Sequence, residues 1–160
     1  MKYFLKHITI FIGVILTLTG CEDQYTICEL SKNINFRGVF FSKQGNNFIE
    51  TKVNSLSINI LDDPNFIYKD RIDVSTFIFG LSPLIDKDSI SYVIKIDNVS
   101  PADTLTLRYT SNTVNLTPEC GSIIVHNLTK VTTTTNTLDS VQIIVPKIDN
   151  NINVSVKLFL

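Results

Sequence analysis

Residues 90–96, Ile-Ser-Tyr-Val-Ile-Lys-Ile, and residues 105–109, Leu-Thr-Leu-Arg-Tyr, largely alternate apolar and polar side chains with a period of two. Successive side chains of a β-strand point to opposite faces of its sheet, so each stretch predicts a strand with one apolar face. The same alternation recurs along the chain, in residues 34–40, 56–60, 114–116, 141–145 and 152–160. After residue 20 we find no convincing helical spacing of apolar residues, and the many threonines and β-branched residues also favour strands.

Segments with turn chemistry separate these strands. Gln44-Gly45-Asn46-Asn47 is typical of a hairpin tip, and a short turn is expected between Tyr109 and Val114. Further turn segments rich in Asp, Asn or Pro lie at residues 62–65, 100–103 and 149–151. About seven to nine short strands without crossover helices are typical of a sandwich. The sequence therefore predicts an all-β fold, a single antiparallel β-sandwich of immunoglobulin-like architecture, over residues 33–160.

Two features near the C-terminal end add to this picture. Residues 131–137, Val-Thr-Thr-Thr-Thr-Asn-Thr, are interpreted as a solvated hairpin loop or edge strand, with an exposed binding loop as the alternative. The last apolar stretch runs to Leu160 without a polar tail. An unpaired strand of that composition would invite aggregation, so the final strand is expected to pair within the sheet.

The first 20 residues have the pattern of a secretory signal. Lys2 and Lys6 form a positive region, and the apolar run Ile8–Thr19 is too short to cross a bilayer as a helix. It ends in Leu18-Thr19-Gly20-Cys21, which has the form of a bacterial lipobox. We therefore expect residues 1–20 to be a lipoprotein signal peptide, residues 21–32 a tether, and Cys21 the site of lipidation. An ordinary secreted protein or an uncleaved anchor are the alternatives.

Lipidation would place the protein in the cell envelope. Diacylglycerol and palmitate chains on Cys21 would make the membrane a partner. Each methylene group buried in the bilayer contributes about 0.8 kcal/mol to the free energy of membrane binding. Glu22 and Asp23 follow the anchor directly. Acidic residues at this place accompany inner-membrane retention in some bacteria and surface export in others. We expect the outer membrane and leave the leaflet open.

Three cysteines occur in the chain: Cys21, Cys28 and Cys120. With lipid on Cys21, a Cys28–Cys120 disulfide would leave no free thiol in an oxidising compartment. Closing a loop of more than 90 residues would stabilise the fold by roughly 4–5 kcal/mol in the chain-entropy model. Two unpaired thiols, or a reactive cysteine helped by His126, remain the alternatives.

Composition and motifs point away from catalysis, metals and nucleic acid. The 160 residues carry 14 Lys+Arg against 15 Asp+Glu, a net charge of −1, whereas nucleic-acid binders usually have a basic face. His126 lies on a predicted strand without a serine-hydrolase motif, and residues 86–89, Asp-Lys-Asp-Ser, lack the glycine and distal glutamate of a calcium loop. We predict no enzyme activity, no cofactor and no metal site. Tyr92 and Tyr109 are in phase with core residues.

Four short motifs resemble a family of small Bacteroidetes-type lipoproteins that carry a domain of unknown function. They are the lipobox at Cys21, Tyr25-Thr26-Ile27-Cys28, residues 103–109 (Asp-Thr-Leu-Thr-Leu-Arg-Tyr) and Glu119-Cys120-Gly121. The resemblance implies a β-sandwich that faces the periplasm or the cell surface, a Cys28–Cys120 pair, and no catalytic residues to transfer.

The sequence thus predicts a lipid-anchored, non-catalytic binding or structural module, or an accessory subunit with an envelope protein as partner. A surface carbohydrate- or ligand-binding module is the alternative, and it would display exposed aromatic side chains such as Tyr25, Phe48, Phe66 and Tyr68. An enzyme that uses His126 is the third hypothesis. It requires a carboxylate or hydroxyl within hydrogen-bond reach of the imidazole.

Overall fold

The computed structural model describes residues 28, 31–32, 34–81 and 88–160. The predicted signal peptide, the lipidation site Cys21 with Glu22 and Asp23, Tyr25, and residues 86–87 lie outside this part. Within it the regular secondary structure is all β, and no helix there is long and apolar enough to cross a membrane.

Eleven strands run through the described residues. Their bounds are β1 Asn35–Gln44, β2 Asn47–Glu50, β3 Val53–Ile60, β4 Phe66–Val74, β5 Thr76–Gly80, β6 Ser89–Ile96, β7 Asp103–Asn115, β8 Ser122–Thr133, β9 Ser140–Ile143, β10 Lys147–Ile148 and β11 Val156–Phe159.

The strands form two sheets. One has six strands in the order β10-β8-β7-β6-β3-β4, and every neighbouring pair in it is antiparallel. The other has five strands in the order β2-β1-β11-β9, and β5 pairs with the first half of β1. Within this sheet β1 and β11 run parallel, which departs from the purely antiparallel arrangement that the sequence predicted. The pairing joins the first strand to the last.

The core lies between the two sheets. From the five-stranded sheet, Phe36, Phe77 and Phe79 are buried, and from the six-stranded sheet Tyr92 meets the ring of Phe79 at a centroid distance of 4.5 Å. Further buried members alternate along their strands, as the period of two predicted: Phe40, Leu56, Ile58, Ile94, Ile96, Leu105, Leu107, Tyr109, Leu128, Val156 and Leu158. The predicted β-sandwich is confirmed.

The local turn predictions meet different outcomes. The hairpin tip is confirmed, since Gly45, at a φ of 63°, and Asn46 form the turn between β1 and β2. The final strand is paired on both sides, as predicted, but it begins only at Val156. The short turn expected after Tyr109 is wrong. β7 continues unbroken to Asn115. Its register against β8 shifts between Arg108 and Tyr109, so the strand is irregular there but does not turn.

Candidate functional site

Cys28 and Cys120 form a disulfide. Their Cα atoms are 4.9 Å apart, and 92 positions separate them along the chain. Cys120 is buried in the turn between β7 and β8, so the bond ties the segment before β1 to the six-stranded sheet. The predicted pairing is confirmed, and the alternatives with free thiols or a cysteine nucleophile are wrong.

His126 is buried on β8 and pairs with Ser111 on β7. The register places the two residues opposite each other, and Ser111 Oγ lies 2.9 Å from His126 Nδ1. The edge-to-face ring of Tyr109 packs at a centroid distance of 5.0 Å, and burial lowers the pKa of the imidazole. A hydroxyl is therefore within reach, as the enzyme hypothesis required. Among the described residues, however, no carboxylate forms a hydrogen bond with His126 that would orient it as a base.

Of the aromatic residues singled out for a sugar-binding surface, the described ones, Phe48, Phe66 and Tyr68, do not form one patch. Phe48 is 52% exposed on β2 and packs edge-on against Phe159 at 4.7 Å, whereas Phe66 is 51% exposed on β4 in the other sheet. The hydroxyl of Tyr68 instead forms hydrogen bonds with the backbone of β5. It accepts a hydrogen bond from Ile78 N at 3.0 Å and donates one to Ile78 O at 2.9 Å. Tyr92 and Tyr109 are buried in the core, as predicted.

A pocket of about 330 Å³ opens on the outer face of the five-stranded sheet. Arg37 of β1 and Ile78 of β5 are cross-strand neighbours and form its floor. Residues 150–153, Asn-Asn-Ile-Asn, form one wall and are called here the asparagine loop. Asn35 and Ser31 complete the lining. We refer to this cavity as the Arg37 pocket.

Both ends of the asparagine loop are fixed by hydrogen bonds. Before the loop, buried Asp149 accepts a bond from Asn151 N at 2.9 Å and pairs with Lys147 Nζ at 2.9 Å. Burial alone would raise the pKa of Asp149, but these donors outweigh it and lower the pKa. After the loop, Ser155 N donates to Arg37 O at 2.9 Å and Ile144 N donates to Ser155 O at 2.9 Å. The asparagine loop is therefore attached to β1 at Arg37, next to the floor of the pocket.

One donor of the Arg37 guanidinium, its Nε, has no protein partner within the described part of the chain. This nitrogen is buried, and the one ion pair found in that part joins Lys147 to Asp149. An unsatisfied buried donor typically costs about 1–3 kcal/mol. A guanidinium offers five donors in a planar fork that matches carboxylate and phosphate groups, and asparagine amides both donate and accept. The Arg37 pocket thus gathers groups suited to an anionic, hydroxyl-bearing ligand.

Metal binding has no comparable support. The described residues contain no group of three or more His, Cys, Asp or Glu side chains that could hold a metal ion.

The DUF6452 family model, which describes a family of unknown function, matches residues 55–160. This match covers more than half of the chain. The chain belongs to the DUF6452 family. No curated protein and no solved structure matches it.

The DUF6452 segment is shorter than the structural unit. It begins within β3, so β1, β2 and Cys28 precede it. Yet β1 is a central strand of the five-stranded sheet, flanked on one edge by β11 and on the other by β5 and β2. Ile78 and the asparagine loop lie inside the matched segment, whereas Arg37 lies outside it.

Sequence reasoning missed the Arg37 pocket. Residues 149–151 were predicted as a turn, and Arg37 occupies an outward position in a strand where a charged residue is ordinary. The pocket exists because β11 returns beside β1 and brings the asparagine loop with it. Nothing local in either segment signals this contact.

Proposed function

We propose that this protein is a lipid-anchored, non-catalytic binding module of the cell envelope that holds a small polar ligand in the Arg37 pocket. The pocket itself is the observation that carries the proposal. Its volume of about 330 Å³ lies at the small end of ligand-binding cavities. Its lining combines Asn35 and Arg37 of β1 with Ile78 of β5 and the asparagine loop.

The location in the envelope has two supports. The N-terminal residues have the order of a lipoprotein signal, with Cys21 directly after Leu18-Thr19-Gly20. The Cys28–Cys120 disulfide is the kind of bond that persists in exported proteins and is rare in the cytosol. The lipid on Cys21 would attach the protein to the membrane, and the outer membrane is the proposed location.

Binding without catalysis is supported by the chemistry of the pocket. Guanidinium and asparagine amide groups are not among the side chains that ordinarily serve as general acids or bases, so these groups recognise a ligand through hydrogen bonds. The imidazole of His126, which could act as a base, is buried on β8 against Ser111 and Tyr109. It lines another cavity, of about 410 Å³, but among the described residues no carboxylate forms a hydrogen bond with it that would orient it.

Blocking the pocket tests the binding function. Isothermal titration calorimetry on the full chain in detergent would use D-galactose, N-acetyl-D-glucosamine, D-galacturonate and succinate as probes. We expect at least one to bind, and Ile78→Trp to weaken it at least tenfold, because the larger side chain fills the floor. Ile72→Trp is the matched control, since Ile72 is 74% exposed on β4 and does not line the pocket.

Two outcomes would contradict the binding function. One is that none of the four probes binds the wild-type protein. The other is that a bound probe has the same affinity for the Ile78→Trp variant as for the wild type.

A further inference from the structure

We propose that the ligand of the Arg37 pocket is an acidic sugar, a monosaccharide unit that carries one carboxylate. This inference rests on the proposed binding function and specifies its ligand. Three properties of the described lining residues point to this chemistry: their single charge, their amide groups and their apolar side chains.

The charge of the pocket matches one carboxylate. Arg37 is the single charged residue among the described residues that line it. A planar carboxylate accepts two parallel hydrogen bonds from one guanidinium, and this geometry adds specificity to the attraction. A phosphate dianion would leave charge uncompensated here, because none of the described lining residues is a lysine or a second arginine. A neutral ligand would offer no negative charge to the guanidinium of Arg37.

The amides of the pocket match hydroxyl groups. Asn35, Asn150, Asn151 and Asn153 all contribute to the lining, and the side chain of Asn151 also forms a hydrogen bond with Asp149. Each asparagine amide has two donors and one acceptor oxygen, and a sugar hydroxyl both donates and accepts. A ligand that carried only a carboxylate would leave these groups to water. Several amides around a single guanidinium therefore indicate a ligand with several hydroxyls and one negative charge.

The apolar side chains give the ligand a surface for its ring. Ile78 on the floor is 37% exposed, and Ile152 in the asparagine loop is 79% exposed. Both are among the lining residues, so a ring seated between them would bury its C–H groups against aliphatic side chains. Outside a binding site, an exposure of 79% for an isoleucine on a loop held at both ends has no packing benefit.

Matched ligands isolate the carboxylate. Isothermal titration calorimetry on the full chain in detergent at pH 7 would compare D-galacturonate, D-glucuronate and N-acetylneuraminate with D-galactose and with the methyl ester of D-galacturonate. The ester keeps the ring and the hydroxyls but loses the charge. We expect at least one acidic sugar to bind at least tenfold more tightly than its neutral counterpart, and its affinity to fall as salt is raised.

Variants of Arg37 assign the effect to one side chain. Arg37→Met should abolish the preference for the acid over the ester, and Arg37→Lys should retain part of it, because a lysine keeps the charge but not the fork. Arg108→Met removes an exposed arginine of β7 outside the pocket and should change nothing. Circular dichroism would check that each variant is folded.

The outcomes separate this inference from the proposed function. If neutral sugars or the ester bind as tightly as the acids, and Ile78→Trp still blocks them, the pocket binds a ligand but the acidic-sugar inference is wrong. The same holds if succinate or inorganic phosphate binds more tightly than every acidic sugar. If none of these compounds binds the wild-type protein, both proposals fail.

Discussion

Gly38 makes room for the ring of Phe77 in the core. Gly38 lies on β1 between the inward-facing residues Phe36 and Phe40, at the position where the alternation would place another apolar side chain. A Cβ atom there would lie 2.7 Å from Cε1 and 2.9 Å from Cε2 of Phe77. Both distances are shorter than carbon atoms tolerate without moving. The phenyl ring from β5 therefore fills a space that β1 leaves empty.

Gly38→Ala is expected to destabilise the protein by about 2 kcal/mol, because overpacking a tight core forces side chains or backbone to shift. Gly80→Ala is the matched control, since the nearest atom to its added Cβ, the Ile34 carbonyl oxygen, is 3.8 Å away. Urea unfolding of both variants would measure the difference. Combining Gly38→Ala with Phe77→Leu should cost less than the two single changes added together. An unchanged midpoint for Gly38→Ala would contradict the tight packing.

At the scale of elements, one carboxylate shapes the connection between β8 and β9. Asp103 is fully buried at the start of β7. It accepts four hydrogen bonds of 2.8–2.9 Å, from the hydroxyl of Thr134 and from the backbone N–H groups of Asn136, Thr137 and Leu138. The threonine-rich segment thus ends in a loop that surrounds the carboxylate of Asp103. This loop places Leu138 in the core.

The stability that Asp103 contributes should depend on pH. Burial raises its pKa, but the backbone donors and the Thr134 hydroxyl outweigh burial, so its pKa is lowered in the folded state. Its contribution is therefore present above the unfolded value of about 3.9 and is lost as the pH falls through the lower folded value. Asp103→Asn should cost about 3 kcal/mol at pH 7, since it leaves buried donors with poorer acceptors.

Urea unfolding between pH 2.5 and 7 would measure this dependence. The loss of stability below about pH 4 should be shallower in Asp103→Asn than in the wild type. Some acid sensitivity should remain, because hydrogen bonds and Lys147 also lower the pKa of Asp149. The exposed neighbour of the loop, Asp139, supplies the control Asp139→Asn. Identical pH profiles for Asp103→Asn and the wild type would show that the loop does not depend on this carboxylate.

The difference between local and distant contacts explains what the sequence could predict. The β1–β2 turn was predictable because Gly45 and Asn46 specify it locally, and the core positions of β6 and β7 follow from alternation alone. The composition of the threonine-rich segment predicts a solvated hairpin loop or edge strand, but its fold depends on Asp103, which is more than 30 positions away. The Arg37 pocket depends in the same way on the parallel pairing of β1 with β11. A single sequence does not encode such contacts in any local pattern.

At the scale of the whole molecule, the disulfide fixes where the proposed anchor joins the sandwich. Cys28 follows Cys21 by seven positions, and an extended chain of that length spans at most about 25 Å. Cys28 is bonded to Cys120, and three positions later Ser31 lines the Arg37 pocket. A lipid on Cys21 would therefore hold this end of the sandwich, with the pocket, close to the membrane surface.

The anchor and the disulfide should be separable by mutation. Cys21→Ala is expected to lack lipid, as seen in the mass of the N-terminal peptide, and to leave the membrane fraction while keeping the wild-type urea midpoint. The double variant Cys28→Ser with Cys120→Ser should show the reverse. It should keep the lipid and the membrane fraction but lose about 4–5 kcal/mol of stability, because its unfolded chain is no longer cross-linked.

Each variant serves as the control for the other. Lipid mass on Cys21→Ala would refute the anchor, and an unchanged midpoint in the double variant would refute a stabilising disulfide. Reduced wild-type protein should unfold at the same urea concentration as the double variant, since both then have the same open chain.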